Sequence, residues 1–233
     1  MTRLVEQQVC KSRTVLADLF PPDPDYEQIH TRQYEVRTYR MSPDRFMMRG
    51  VVVDDKPAGL YIDNDPTPLR MHYMVVELEV SFPEFVIEKA SVTYHNYPHT
   101  GCDNIVDHYQ KLVGLSVMRG FNRKVKELFG GPHGCTHVTA LISAMAPVVI
   151  QTAWAMRLIE VRDNPDVDTT ERTMEQRMQA LAGNIDTCHM WDSDGELMDD
   201  VRAGHDLETP LPVQIRLRDL GRSPDEWDRF KRV

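Results

Sequence analysis

Two short elements of this sequence place a thiol where chemistry is favoured: HTGC at residues 99–102 and HGC at residues 133–135. In each, a glycine turn leads into a stretch with helical spacing, so Cys102 and Cys135 fall at or beside a helix N-terminus. Unsatisfied backbone N–H groups and the helix dipole favour an anion there. A thiolate nucleophile or a metal ligand suits such a position. The same residues also read as a turn glycine followed by a small buried side chain, because cysteine is commonly buried for packing. Spacing alone leaves that choice open.

Histidines supply the second half of the chemistry. His137 follows Cys135 by two residues. Positions i and i+2 of a helix do not share a face, so the pair converges only if Cys135 is still in the turn. Cys188 and His189 are expected on a strand, where neighbours point to opposite faces, so at most one enters a given pocket. His30 and His72 are expected at the start of one strand and inside another, where a lone histidine is more often structural. Histidine is the natural acid and base near neutral pH. His72, His137, Cys135 and His30 are therefore the catalytic candidates. Arg32 and Arg37 are candidates to hold a carboxylate or phenolate, with Cys102 and His189 beside them. A Zn²⁺ or iron site drawing on Cys102, Cys135, His137, Cys188 and His189 is the metal alternative, although no HExxH or CxxC spacing supports it. No P-loop, GxGxxG or GxSxG is present, so nucleotide binding and a serine hydrolase elbow have no motif behind them.

The elements that must position these residues are legible in the patterning. Residues 1–25 read as an N-terminal arm with a short starting helix that FPPDPD ends. From Tyr26 to about Tyr97 the pattern is strand-like, with a turn at DDKPAG, a loop at LYIDNDPTPL and a hairpin turn at residues 81–85. Helical spacing follows at residues 103–115, in NRKVKELFGG, from Cys135 to about Val161 with a bend near Pro147, and in DVDTTERTMEQRMQALAG after a threonine cap. IDTCHMW reads as a late strand and DSDGE as the turn after it. The expected fold is α+β, with an antiparallel sheet of about five strands plus the late strand, packed against a layer of helices. Residues 26–200 form one domain, and 201–233 a tail that packs on the surface or on a neighbouring subunit.

Composition narrows the function classes. The chain has 233 residues, 27% of them charged, and a formal net charge of -9. An acidic chain with scattered lysine and arginine is a poor partner for nucleic acid. The first twenty residues carry no apolar core of signal-peptide length. The four cysteines show no disulfide spacing, so reduced thiols and a cytoplasmic location are expected. The uncharged run after Gly130 is interrupted by Pro147 and dotted with polar groups, and reads as a core helix rather than a membrane span. The hairpin edge and apolar helices make a homodimer plausible.

Several segments in order resemble the bacterial domain of unknown function 2889 family: HTRQYEVRTYR, VVDDKP, MHYM, GCDNIVDHYQKLVGLSVMRGFNRKVKELFGGPHGCTHVTAL and DTCHMWDSDGE. The resemblance runs from about His30 to Glu196. Its matching positions are His30, Arg32, Asp55, Lys56, His72, Met74, Cys102, Gly120, Phe121, Gly134, Cys135, Thr136, His137, Cys188 and His189. The family often has His-Asp-Met where this chain has His72-Tyr73-Met74, so any orienting or basic role of that aspartate is lost here. The resemblance raises Cys135 to a leading site candidate. It also implies a part in bacterial catabolism of aromatic and other hydrophobic compounds.

The expected function is a cofactor-independent enzyme acting on a small hydrophobic or aromatic molecule. Its expected class is a lyase that cleaves a C–C bond by His/Cys acid–base chemistry, in retro-aldol or decarboxylative form, with a hydrolase or isomerase next. The alternatives are a Zn- or Fe-dependent hydrolase or metal-handling protein, and a ligand-binding protein without chemistry.

Overall fold

The computed structural model describes residues 20–118, 120–164 and 172–231. The beginning of the N-terminal arm, with its expected short helix and Cys10, lies outside them. Four antiparallel strands run as a simple meander in the order β1 (Thr31–Ser42), β2 (Arg45–Lys56), β3 (Leu69–Ser81) and β4 (Ile87–Asn96). Alternation along β2 and β3 makes the sheet two-faced. Phe46, Met48 and Val52 of β2 point inward with Met74, Val76, Leu78 and Val80 of β3 and Ile87 and Val92 of β4, and all are buried. The outward positions carry cross-strand ion pairs such as Arg49–Glu77 and Lys89–Glu79.

Helices cover the inward face. A 3₁₀ helix spans Cys102–Leu112, followed by α1 (Phe121–Phe129) and the long α2 (Thr136–Asp163). The helical spacing expected at residues 103–115 is thus realised in the tighter form. By length and composition α2 could cross a membrane. Here it lies on the inner face of β1, β2 and β3, and its Leu141, Ile142, Met145 and Val149 join the sheet core. Pro147 sits inside it without breaking it. Close approach demands Gly50 at the sheet, because a Cβ there would stand 2.6 Å from Met145 Sδ and 3.0 Å from Leu141 Cδ1.

Beyond α2 the described residues form helices and turns. Thr173 caps α3 (Met174–Leu181) in a reciprocal box with Gln176. Then come α4 (Glu196–Arg202), α5 (Leu211–Asp219) and a 3₁₀ helix at Pro224–Phe230. The expected domain border at 200/201 falls inside α4. The tail returns to the end of α2, where Arg229 donates to the Val161 carbonyl.

Two sequence expectations need correction. The sheet has four strands rather than five, because the chain before Thr31 is exposed and pairs with no strand. The late strand at IDTCHMW is not there. Asp186 takes a left-handed backbone (φ 60°) and its amide donates to the Trp191 carbonyl, while the Trp191 amide donates to Cys188. The segment therefore closes on itself in turns and a short 3₁₀ helix, His189–Trp191, and offers no ladder to the sheet.

Candidate functional site

The apolar alternation of β2 ends in a charge. After Phe46, Met48, Gly50 and Val52, the next inward position is Asp54, whose side chain is 3% exposed. Register puts Arg32 of β1 directly opposite Asp54 and Asp54 directly opposite His72 of β3. Three adjacent strands thus end their inner face in one polar row, Arg32–Asp54–His72. The row beside it is Tyr34–Val52–Met74–Tyr94. A β-bulge follows at once, since the β2–β3 register shifts between Asp54 and Asp55. Bulges re-aim side chains at the edges of sites.

The first turn of α2 closes over this row. Cys135 is the helix N-cap residue, with extended backbone, so it belongs to the turn and not to the helix. That resolves the i, i+2 objection. His137 Nδ1 lies 3.8 Å from Cys135 Sγ, while His137 Nε2 lies 2.9 Å from Asp54 Oδ2. His72 stacks on His137 with ring centroids 3.8 Å apart. His30 Nε2 stands 3.7 Å from Asp54 Oδ1. The turn is held in place from behind. A Cβ on Gly134 would fall 2.4 Å from the Phe129 carbonyl oxygen, which also accepts from the Thr139 hydroxyl. The Cys135 amide donates to the buried Tyr109 hydroxyl at 2.8 Å. This packing accounts for the GG..GCTH block as backbone geometry that presents Cys135 and His137 together.

Electrostatics fixes the protonation pattern. Burial pushes the Asp54 carboxyl up, but the bidentate guanidinium of Arg32, at 2.6 Å from each oxygen, pulls harder and holds it down at about 2. Burial lowers the pKa of His72 below the ordinary imidazole value, and Asp54 only partly offsets it. For His137, burial, then His72, then Arg32 act in the same downward direction. Both rings are therefore neutral at neutral pH. A neutral His137 that donates Nε2–H to Asp54 must present the lone pair of Nδ1 to Cys135.

The lone pairs of Asp54 also explain His72. Arg32 Nη2 and His137 Nε2 occupy Oδ2, which leaves no acceptor site for a third donor. His72 Nδ1 is 3.1 Å from that oxygen yet is buried without a hydrogen bond. Among the described residues, Asp54, His72 and His137 form the one group of three whose ligating atoms lie close enough, within 4.8 Å of one another, to hold a metal ion.

The structure brings together Cys135, His137, His72, His30 and Arg32. It does not bring in the other expected residues. Arg37 lies on the opposite face of β1 from Arg32, exposed and paired with Glu35 at 2.6 Å. Cys188 and His189 are exposed in the turns that replace the expected strand. Cys102 heads the 3₁₀ helix, its amide donating to the His99 carbonyl. Among the described residues no hydrogen bond or ion pair joins Cys102, Cys188 or His189 to the Asp54 group, so the expected Cys/His metal set is not assembled. Tyr73 is turned away from His72 and stacks on His95, with centroids 4.3 Å apart. The aspartate expected at that position would face away from the site. Asp54 does the orienting instead.

Sequence reading missed three residues. Asp54 was hidden by the doublet Asp54-Asp55: the resemblance pointed at Asp55, which faces out and pairs with Arg70. The parity Phe46, Met48, Gly50, Val52 already put Asp54 inside. Tyr109 and Tyr94 carried no such signal. The Tyr94 hydroxyl is buried without a regular hydrogen bond. Burial and the neighbouring Cys135 and Tyr109 raise its pKa, so it remains a protonated donor beside the thiol.

A family model described as Protein of unknown function (DUF2889) matches residues 30–151. That span contains every member of the Asp54 group, and stops short of Cys188 and His189. No curated protein and no solved structure matches the chain.

Proposed function

From a chain that belongs to the family Protein of unknown function (DUF2889), we propose a cofactor-independent enzyme that moves protons at a small hydrophobic or aromatic molecule, with a C–C lyase as the reaction class. The observation that carries the proposal is His137, bonded through Nε2 to buried Asp54 and facing Cys135 through Nδ1. A base oriented by a third group and within reach of a thiol is the arrangement that acid–base and nucleophilic catalysis need. In a retro-aldol step, neutral His137 or His72 takes the proton of a β-hydroxyl. The C–C bond breaks, a carbonyl forms on one fragment, and the electron pair passes to the enolate of the other. The imidazolium returns its proton to that carbon, so no external oxidant or reductant is consumed. Tyr34, Met74 and Tyr94 in the adjoining row favour an apolar or aromatic substrate. The mostly covered edges of His72 and His137, each 17% exposed, leave a narrow approach for it.

Exchange of α-protons in D₂O tests the reading, followed by NMR over a panel of aryl ketones and β-hydroxy carbonyl compounds. The expected result is exchange or cleavage of at least one compound by the native protein and none by His137→Ala. Equal rates for both proteins overturn the reading.

A second reading, a divalent metal held by Asp54, His72 and His137, is favoured by the unbonded Nδ1 of His72 and by neutral imidazoles beside a carboxylate. Bound there, the metal would act as a Lewis acid. Against it stands Arg32, whose fork occupies both oxygens of Asp54 and brings a second cation to the same place. Metal analysis of the purified protein separates the two. One equivalent retained by the native chain and lost from Asp54→Asn and His72→Ala establishes the metal reading.

A further inference from the structure

We propose that a second site, in the cleft between α2, α3 and the β3–β4 turn, binds a small organic anion with an aromatic or apolar body. The cleft measures about 640 Å³ and is lined by Arg157, Arg172, Trp154, Phe85, Gln176 and the exposed Glu84. That volume is in the range of small-molecule sites. It is independent of the Asp54 group. His72 lies near the start of β3 and Ser81 ends it, so the β3–β4 turn lies roughly 30 Å of strand away from His72.

Two cations that form no ion pair among the described residues, Arg157 and Arg172, carry the inference. The net charge of the chain is -9, and the guanidinium of the first site, Arg32, is paired with Asp54. Arg157 uses one of its donors, Nη1, on the Ala180 carbonyl at 2.5 Å. Burial and then the nearby Arg172 disfavour its charge, and the more weakly acting Glu160 does not offset them. A half-buried guanidinium with one hydrogen bond among the described residues, beside a second cation, is costly unless an anion completes the site. The fork of Arg157 matches a carboxylate or a phosphate. Gln176 accepts from the Thr173 amide through Oε1, which leaves its NH₂ to donate to the same ligand. Phe85 and Trp154 give the apolar body a wall to pack on.

Titration calorimetry with cinnamate, its neutral amide and inorganic phosphate tests the site in the full chain. Cinnamate is expected to bind one to one, and the amide and phosphate each at least about tenfold more weakly, since each lacks one half of the recognition. Arg157→Gln and Arg172→Gln are each expected to weaken cinnamate at least about tenfold, with native circular dichroism. Arg172 lies outside the helices, just before α3, so its variant serves even if Arg157→Gln does not fold. His137→Ala is expected to bind cinnamate as the native chain does. Absence of cinnamate binding, equal binding of the amide or of phosphate, or full affinity in both arginine variants overturns the proposal. So does loss of cinnamate binding in His137→Ala, which would place the ligand at the Asp54 group.

Discussion

Asp54 and His137 are 83 residues apart in the chain and 2.9 Å apart in the fold, the carboxylate on the last inward position of β2 and the imidazole on the first turn of α2. The contact fixes the His137 tautomer, because only Nε2–H can serve Asp54 while Nδ1 faces Cys135. Asp54→Asn keeps the size of the side chain and removes the charge. Proton exchange is expected to fall about 10²- to 10⁴-fold, the usual worth of a positioned base. Stability is expected to fall by about 1–3 kcal/mol, less than for a fully buried pair because Arg32 is 38% exposed. Denaturant titration and the NMR exchange assay check the two separately.

Acid affects this site in two steps. His72 and His137 have folded pKa values below 6.5, so the unfolded chain binds their protons more readily. Stability is expected to be highest above pH 6.5 and to decline as pH drops from there toward the folded values. Asp54 adds a second loss: its pKa of about 2 against 3.8 unfolded stabilises the fold by about 2 kcal/mol above pH 3.8, and that is lost between pH 3.8 and 2. Activity should show an acid limb below pH 6.5, where the base becomes protonated. Melting temperature against pH, with His137→Gln as the comparison, reads the first step.

Arg32 acts on the histidines through Asp54 and directly. Arg32→Gln removes a cation that lowers both imidazole pKa values and frees an oxygen of Asp54 to accept from His72. The His72 and His137 titrations, followed by NMR, are expected to move to higher pH, and the acid limb of activity with them. Unchanged titrations would show that Arg32 only packs there.

Cys135 separates chemistry from packing by two variants. Cys135→Ser retains shape and the turn, and Cys135→Ala retains only the turn. If the thiol reacts, both are expected to lose at least about 10²-fold in turnover while Ser stays within about 1 kcal/mol of native stability. Native turnover in both variants reduces the thiol to a packing role.

Gly50 carries no chemistry, and its replacement tests the packing of α2 on the sheet. Gly50→Ala places a methyl against Met145 Sδ at 2.6 Å. A loss of about 1–3 kcal/mol in thermal or urea unfolding is expected. Exchange activity is expected to survive at temperatures where the variant is folded.

The sequence by itself determined what is local. Alternation over Arg45–Lys56 and Leu69–Ser81 set two strands and their inward faces. Glycine turns set the helix starts, and the spacing of Cys135 and His137 at one of them marked the site. Short-range steric and hydrogen-bonding preferences decide such features, and they are written in neighbouring residues. Tertiary structure alone decided which strands lie side by side and in what register. Only that register turned Arg32, Asp54 and His72 into one row and brought His137 down upon it. Parity along β2 already marked Asp54, not Asp55, as the inward member of the doublet, but only the register gave it Arg32 and His72 as partners. For Ile185 to Trp191 the apolar pattern suited a strand, but its amides donate to nearby carbonyls between Leu181 and Trp191, in turns. Cross-strand pairing and burial of charge join residues far apart in sequence, so no stretch of the chain carries them alone.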